Sequence, residues 1–312
     1  MIAISRSKPG VIWLHLALLA LANLIWAAQG TAVKFLDPHM GPIAITFLPF
    51  YVTTLLMVPL LVRMRRRAEP GKSALTARDW GSFALAGVGG QVLAQLGMTW
   101  GISKSLASNG AIMNLLIPAI SAVLASMMLR EKLTALRCVA FAAGLAGVLL
   151  LSADDIRKTS FLDSKLVAGN LMILGGCVGS SFYNVYCKGL LRRFHEVEVL
   201  IFSYITASLA SLPLLIWVEP FAWSVFRSFD PKAWAAFAFL ALLMYGVSML
   251  AFFYVLQFLD VTIASLSLYL VPVFGTLLAV AALGERLGPY AISGAVIVVV
   301  SSLLIFKYDS AT

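Results

Sequence analysis

Residues 26–133 of this chain return at 180–287 on a constant offset. Lys34 and Lys188, Pro59 and Pro213, Trp80 and Trp234, Pro118 and Pro272, and Glu131 and Glu285 are each 154 positions apart. Uncommon residues falling on one register without a gap mark an internal duplication, so the chain must fold as two like halves. It must do so in lipid. Of its residues 61% are hydrophobic and 12% charged, against roughly 25% charged in a soluble domain, and its mean hydropathy is +0.94. Repeated halves in a membrane protein imply a secondary transporter, with its substrate site between the halves.

A net charge of +9 does not point to nucleic acid, because the basic residues sit in short loops between apolar runs rather than along one face. They describe topology. Cys138, Cys177 and Cys187 fall within or at the end of apolar runs, where sulfur packs as a hydrophobe. No metal-ligand spacing is present, so neither disulfide, metal nor cofactor is expected. The apolar run from Val11 exceeds a signal-peptide core and reads as a retained first helix.

About 20 apolar residues cross the hydrocarbon layer as a helix. That places spans near 11–33, 41–62, 80–103, 106–129 and 134–152, then 166–189, 197–218, 234–258, 261–283 and 288–307. The expected fold is an all-α membrane protein of ten transmembrane helices around a central cavity, with repeats at 1–153 and 154–312. With both termini in the cytoplasm, 15 of the 23 Lys and Arg residues lie inside and the other 8 outside, most visibly at Arg63, Arg65, Arg66, Arg67, Lys72 and Arg78. Five spans per half is an odd number, so the second half enters from the opposite side and the repeat is inverted.

Pro118 with Leu129-Arg-Glu-Lys-Leu133, echoed by Pro272 with Leu283-Gly-Glu-Arg-Leu287, resembles the drug/metabolite transporter superfamily, and within it the EamA-type exporters. Asn23-Leu-Ile-Trp26 and Lys34 in the first span strengthen that likeness, which covers nearly the whole chain. The resemblance implies a basket of helices around a central cavity and export of amino acids or related metabolites from the bacterial cytoplasm across the inner membrane. It does not encode the substrate. In the first half Arg130 stands where the family motif has Gly.

Glu131 and Glu285 lie at helix C-termini, where the macrodipole disfavours a carboxylate by up to about 1 kcal/mol. Each therefore calls for a partner: Lys132, Arg286, or the free amides of the next helix. They read as hairpin caps or, functionally, as gate latches together with the kinks at Pro118 and Pro272. Each proline frees a carbonyl one turn earlier that a neighbour, water or ligand must satisfy.

Polar side chains in lipid face the bundle or a wet cavity. On that ground the substrate contacts are expected among Trp26, Gln91, Gln95, Trp100, Asn114, Tyr183, Asn184, Tyr245, Tyr254 and Tyr269. No Asp or Glu falls in the middle third of a span, and His15 is the one histidine well within one. Transport by exchange or down a gradient of a neutral or zwitterionic metabolite follows, with neutral and aromatic amino acids foremost. The small-residue stripes Ala140, Ala143, Gly144, Gly147 and Gly175, Gly176, Gly179, Ser180 read as packing within a monomer. A multidrug exporter would want a greasier cavity than Gln91, Gln95 and Asn114 provide. An intramembrane enzyme would need a nucleophile motif or metal cluster, and the sequence has neither. A channel or structural membrane protein would not need a two-fold repeat.

Overall fold

The computed structural model describes residues 9–67, 75–105, 107–152, 166–219, 222–283 and 289–308. Glu285 and the expected boundary between residues 153 and 154 lie outside these. Among the described residues every regular element is helical. The first half contains α1 (Pro9–Ala27), α2 (Gln29–Leu36), α3 (Pro42–Arg67), α4 (Ala77–Ala84), α5 (Leu93–Ser103), α6 (Ala107–Met113), α7 (Leu116–Leu129) and α8 (Ala135–Leu151). The second contains α9 (Val167–Leu190), α10 (Glu196–Pro213), α11 (Pro231–Ala238), α12 (Ser248–Phe258), α13 (Val261–Leu266), α14 (Leu270–Leu283) and α15 (Pro289–Tyr308). Among the described residues six helical stretches are long and apolar enough to cross a membrane: Trp13–Leu36, Pro42–Arg66, Asn109–Leu129, Glu196–Val218, Pro231–Phe258 and Val261–Leu278.

The duplication is carried into three dimensions without a slip. α7 and α14 begin and end 154 positions apart, as do α4 and α11. Each of the latter passes into a wide π-helical segment, Leu85–Val92 and Phe239–Val247, that starts on the same register. Such widening changes the i→i+4 ladder, and in lipid every carbonyl needs a partner. Hydroxyls of α3 and α10 supply it. Thr53 Oγ1 donates to Ala241 O at 2.5 Å, Tyr204 OH to Tyr245 O at 3.0 Å, and Thr206 Oγ1 to Phe83 O at 2.9 Å.

α3 and α10 lie antiparallel through the centre. Glu219, just beyond α10, reaches the amides at the start of α3; Tyr51 OH pairs with Ser211 Oγ at 2.9 Å midway; Arg65 meets Glu198 at 2.9 Å at the far end. The outer contacts are register images, since Ala44 plus 154 is Glu198 and Arg65 plus 154 is Glu219. At their crossing, Phe50 and Tyr204 pack with centroids 3.9 Å apart, both fully buried. α8 and α15 are antiparallel too: a Cβ on Gly147 would stand 3.0 Å from Gly294 O, and one on Gly144 3.4 Å from Ser301 Oγ. α5 and α9 also approach closely, where a Cβ on Gly97 would stand 2.5 Å from Gly176 N. Small residues thus serve packing within this chain, as close helix contact in lipid requires.

Helix starts follow local chemistry. Thr76 and Asp79 form a capping box on α4, Asp230 caps α11 ahead of Pro231, and Thr134 Oγ1 accepts the Arg137 amide at 3.2 Å on α8. At the end of α7, Arg130 adopts φ 59° and ψ 32°. This left-handed position favours glycine, the residue type that the sequence has at the register partner of Arg130, position 284.

Candidate functional site: polar contacts of the bundle and its clamped ends

α1 carries two polar groups on one face, Asn23 buried and Trp26 half-buried. Asn23 Nδ2 donates to Leu19 O at 2.8 Å and to Ser267 Oγ at 3.0 Å, and no partner is present for its Oδ1 among the described residues. One turn on, Trp26 Nε1 donates to Ser248 Oγ at 2.9 Å while its ring packs edge-on against Phe252, centroids 5.3 Å apart. α1 is thereby tied to α12 and to the short turn at Ser267–Tyr269 that separates α13 from α14. The equivalent break separates α6 from α7. There Asn114 is half-buried, its Oδ1 3.9 Å from Cys177 Sγ, and Ser181 Oγ donates to Ile117 O at 3.1 Å ahead of Pro118. Cys177 is the register partner of Asn23, so both breaks are held by equivalent positions.

The remaining sequence-derived residues fall into separate groups. Gln91 and Gln95 bond to each other at 3.4 Å, one buried and one half-buried, with Trp100 half-buried further along α5. Tyr183 OH pairs with Ser203 Oγ at 2.9 Å and its ring faces Phe253. Tyr245 packs edge-on against Phe50, centroids 5.4 Å apart, and Asn184 is buried. Tyr254 lies near His15, whose ring stacks on Phe258. Tyr269 packs against Phe141 and the backbone of Gly144, its hydroxyl without a partner among the described residues. An apolar groove of about 350 Å³ between α8 and α15, bordered by Leu136, Val139 and Val300, is lined by none of these ten residues. It faces outward from the helix pair.

Two helix starts are capped from a distance. Gly41 precedes α3 and has no side chain to cap it; Glu219 takes the Ile43 and Ala44 amides at 3.0 and 2.8 Å. A Cβ on Gly41 would stand 2.4 Å from that carboxyl carbon. Glu131 takes the Val261 and Thr262 amides at 2.8 and 2.9 Å and the Thr262 hydroxyl at 2.6 Å. These amides belong to α13, not to the helix that follows Glu131 in the chain. The adjacent helix α8, whose free amides the sequence offers as a partner, is already capped by Thr134. Beside this cap, Arg137 Nη2 reaches Asp260 Oδ2 at 2.7 Å, and Lys188 Nζ donates to Leu256 O and, at 3.1 Å, to Leu259 O. In the sequence Asp260 and Glu219 are acids at the ends of apolar spans. The available signal was an acid at one helix end together with a helix start lacking its own cap.

A duplicated bundle of membrane-length helices, tied by uncharged polar contacts within and clamped by acids at its ends, is a multi-pass membrane protein of the transporter class. The chain belongs to the EamA-like transporter family, which matches residues 13–153 and 167–307, one match in each half. It is 26% identical over 231 residues to a probable terminal-alkyne amino-acid exporter of Streptantibioticus cattleyicolor, covering 73% of this chain and 74% of that one. It is 24% identical to each of two uncharacterized transporters of Archaeoglobus fulgidus, covering 86% and 93% of this chain and 89% and 97% of theirs. A solved crystal structure superposes with a TM-score of 0.77 over 97% of both chains at 19% identity, a likeness of fold alone.

Proposed function

We propose that this protein exports small zwitterionic metabolites, foremost neutral and aromatic amino acids, by alternating access. It does so as a monomer of ten spans in two inverted five-helix repeats, 1–153 and 154–312, in a bacterial inner membrane with both termini in the cytoplasm. The observation that carries the mechanism is the antiparallel contact between equivalent helices, α3 with α10 and α8 with α15. An inverted repeat gives one site two exits related by a pseudo-two-fold axis in the membrane plane, and rocking one half against the other alternates them. For the substrate class, support comes from the uncharged polar and aromatic groups of the interior, Asn23, Trp26, Gln91, Gln95, Asn114 and Ser248, and from the amino-acid exporter among the relatives. Such groups match an ammonium, a carboxylate and an apolar side chain without placing a fixed charge in lipid.

The test is flux of radiolabelled amino acids through purified protein in proteoliposomes, alongside hydrophobic cations. Saturable flux of neutral or aromatic amino acids, competed by unlabelled congeners, is the expected result. Flux of hydrophobic cations without amino-acid flux overturns the substrate reading in favour of a multidrug exporter.

A further inference from the structure

Register-equivalent residues at the two ends of the bundle have unlike surroundings. Lys188 is half-buried and bonded to two carbonyls, whereas Lys34 is exposed. Asn184 is buried; its partner Gly30 is exposed, with nothing within 4 Å of where a Cβ would stand. Val185 is fully buried and its partner Thr31 exposed. Among the described residues these equivalent positions are covered at the Lys188 end and exposed at the Lys34 end.

At the Lys188 end the turn between α12 and α13 is gripped by three residues from other helices. Lys188 holds the last carbonyls of α12, Glu131 holds the first amides of α13, and Arg137 holds Asp260 between them. Asp260 occupies the position from which a side chain caps its own helix, yet it makes no such bond. Its carboxylate is turned to Arg137, whose side chain is only 8% exposed. Asp260 is 42% exposed, and Arg137 also donates from Nη1 to Lys132 O at 3.0 Å, so the pair ties the turn to the start of α8. No charged pair stands at the register-equivalent positions. The register partners of Arg137 and Asp260 are Ala291 and Leu106.

We infer that the Arg137–Asp260 pair is a one-sided latch that makes the state closed at the Lys188 end the resting state of the transporter. Substrate passes this end only when the latch parts, and the opposite end, lacking the pair, closes less firmly. The inference rests on the inverted-repeat reading above.

The experiment places single reporter cysteines at Gly30 and at Asn184, in the full chain with Cys138, Cys177 and Cys187 replaced by serine, and follows their reaction with a small permeant maleimide in proteoliposomes. Asp260→Asn keeps the shape and an acceptor for Arg137 but removes the charge. Labelling at position 184 is expected to rise at least threefold while labelling at position 30 falls. If the rate at 184 is unchanged, or rises with no fall at 30, the pair only caps a turn and the latch is wrong. Thr262→Val, which removes one bond from the same clamp without touching a charge, gives the same direction at smaller amplitude and serves should Asp260→Asn fail to fold. Lys34→Cys and Arg192→Cys, labelled with an impermeant reagent, report separately on topology: reaction of both from one face removes the inverted repeat whatever the latch does.

Discussion

Phe50 and Tyr204 are 154 positions apart in the chain and pack against one another, rings tilted by 34° with centroids 3.9 Å apart. Residues equivalent under a duplication touch each other only where the two copies meet. This contact, at the crossing of antiparallel α3 and α10, marks where the halves share a core. Phe50 also packs against Tyr245, and Tyr204 OH bonds the carbonyl of that same residue.

Close helix approach gives the first expectation. Gly97→Leu puts a branched side chain where Gly176 N lies 2.5 Å from the ideal Cβ, and overpacking of this kind costs about 3 kcal/mol or more because backbone cannot yield. The variant should lose its monodisperse peak on size exclusion in detergent. Gly175→Ala, one position away and with nothing within 4 Å, should be neutral or stabilising by up to about 1 kcal/mol.

Arg130 holds a left-handed conformation with φ 59°, a strain of about 1 kcal/mol for a residue with a Cβ. Arg130→Gly should therefore raise the thermal midpoint, although glycine loses more entropy on folding. A lowered midpoint would mean that the Arg130 side chain contributes more than its backbone costs.

Acid should weaken the start of α4. The Thr76 hydroxyl and amide, with Arg193 at 3.0 Å, hold the Asp79 carboxyl below the usual carboxylate range. A depressed folded pKa contributes stability above the unfolded value of about 3.9 and loses it as pH falls through the folded value. Asp79→Asn should be less stable than the wild type at pH 7, and the gap should close below about pH 4 in thermal melts. A constant gap across that range would remove the carboxylate from the account.

Selectivity should respond to the interior amides. Gln95→Leu or Asn114→Leu keeps bulk and removes hydrogen bonding, and Ser248→Ala releases the Trp26 indole from its 2.9 Å bond. All three should insert normally and change the rank order of amino acids transported, with KM raised severalfold for preferred substrates. Wild-type flux across the full range in Gln95→Leu and Asn114→Leu would mean the central site is elsewhere.

Exchange should survive collapse of the proton gradient, because no span carries a carboxylate in its middle third. Counterflow in proteoliposomes treated with an uncoupler measures it. Complete loss would point to a coupling group, with His15 and Glu131 first to be replaced.

Period, length and polarity are local properties, and they alone determined the helical fold, the two like halves and the membrane. The 154-residue offset reappears in the ends of α7 and α14 and of α4 and α11 because helix starts and stops are written in nearby caps, prolines and glycines. Even Arg130 could be read as an exception beforehand, since its partner is Gly284. What the sequence left open were relations between distant segments. That Glu131 caps α13 rather than the adjacent helix, that Glu219 caps α3, and that Asp260 turns from its own helix to Arg137 all depend on which helix ends come together. The same is true of the ten expected contact residues, which share a polar character but are distributed by packing into the Gln91–Gln95 pair, the Trp26–Ser248 bond, the aromatic core at Phe50 and the Gly144 contact of Tyr269. Hydrophobic phase tells which face of a helix turns inward; which neighbour it meets there is decided only when side-chain volumes, small residues and orphan backbone groups are matched across the assembled bundle.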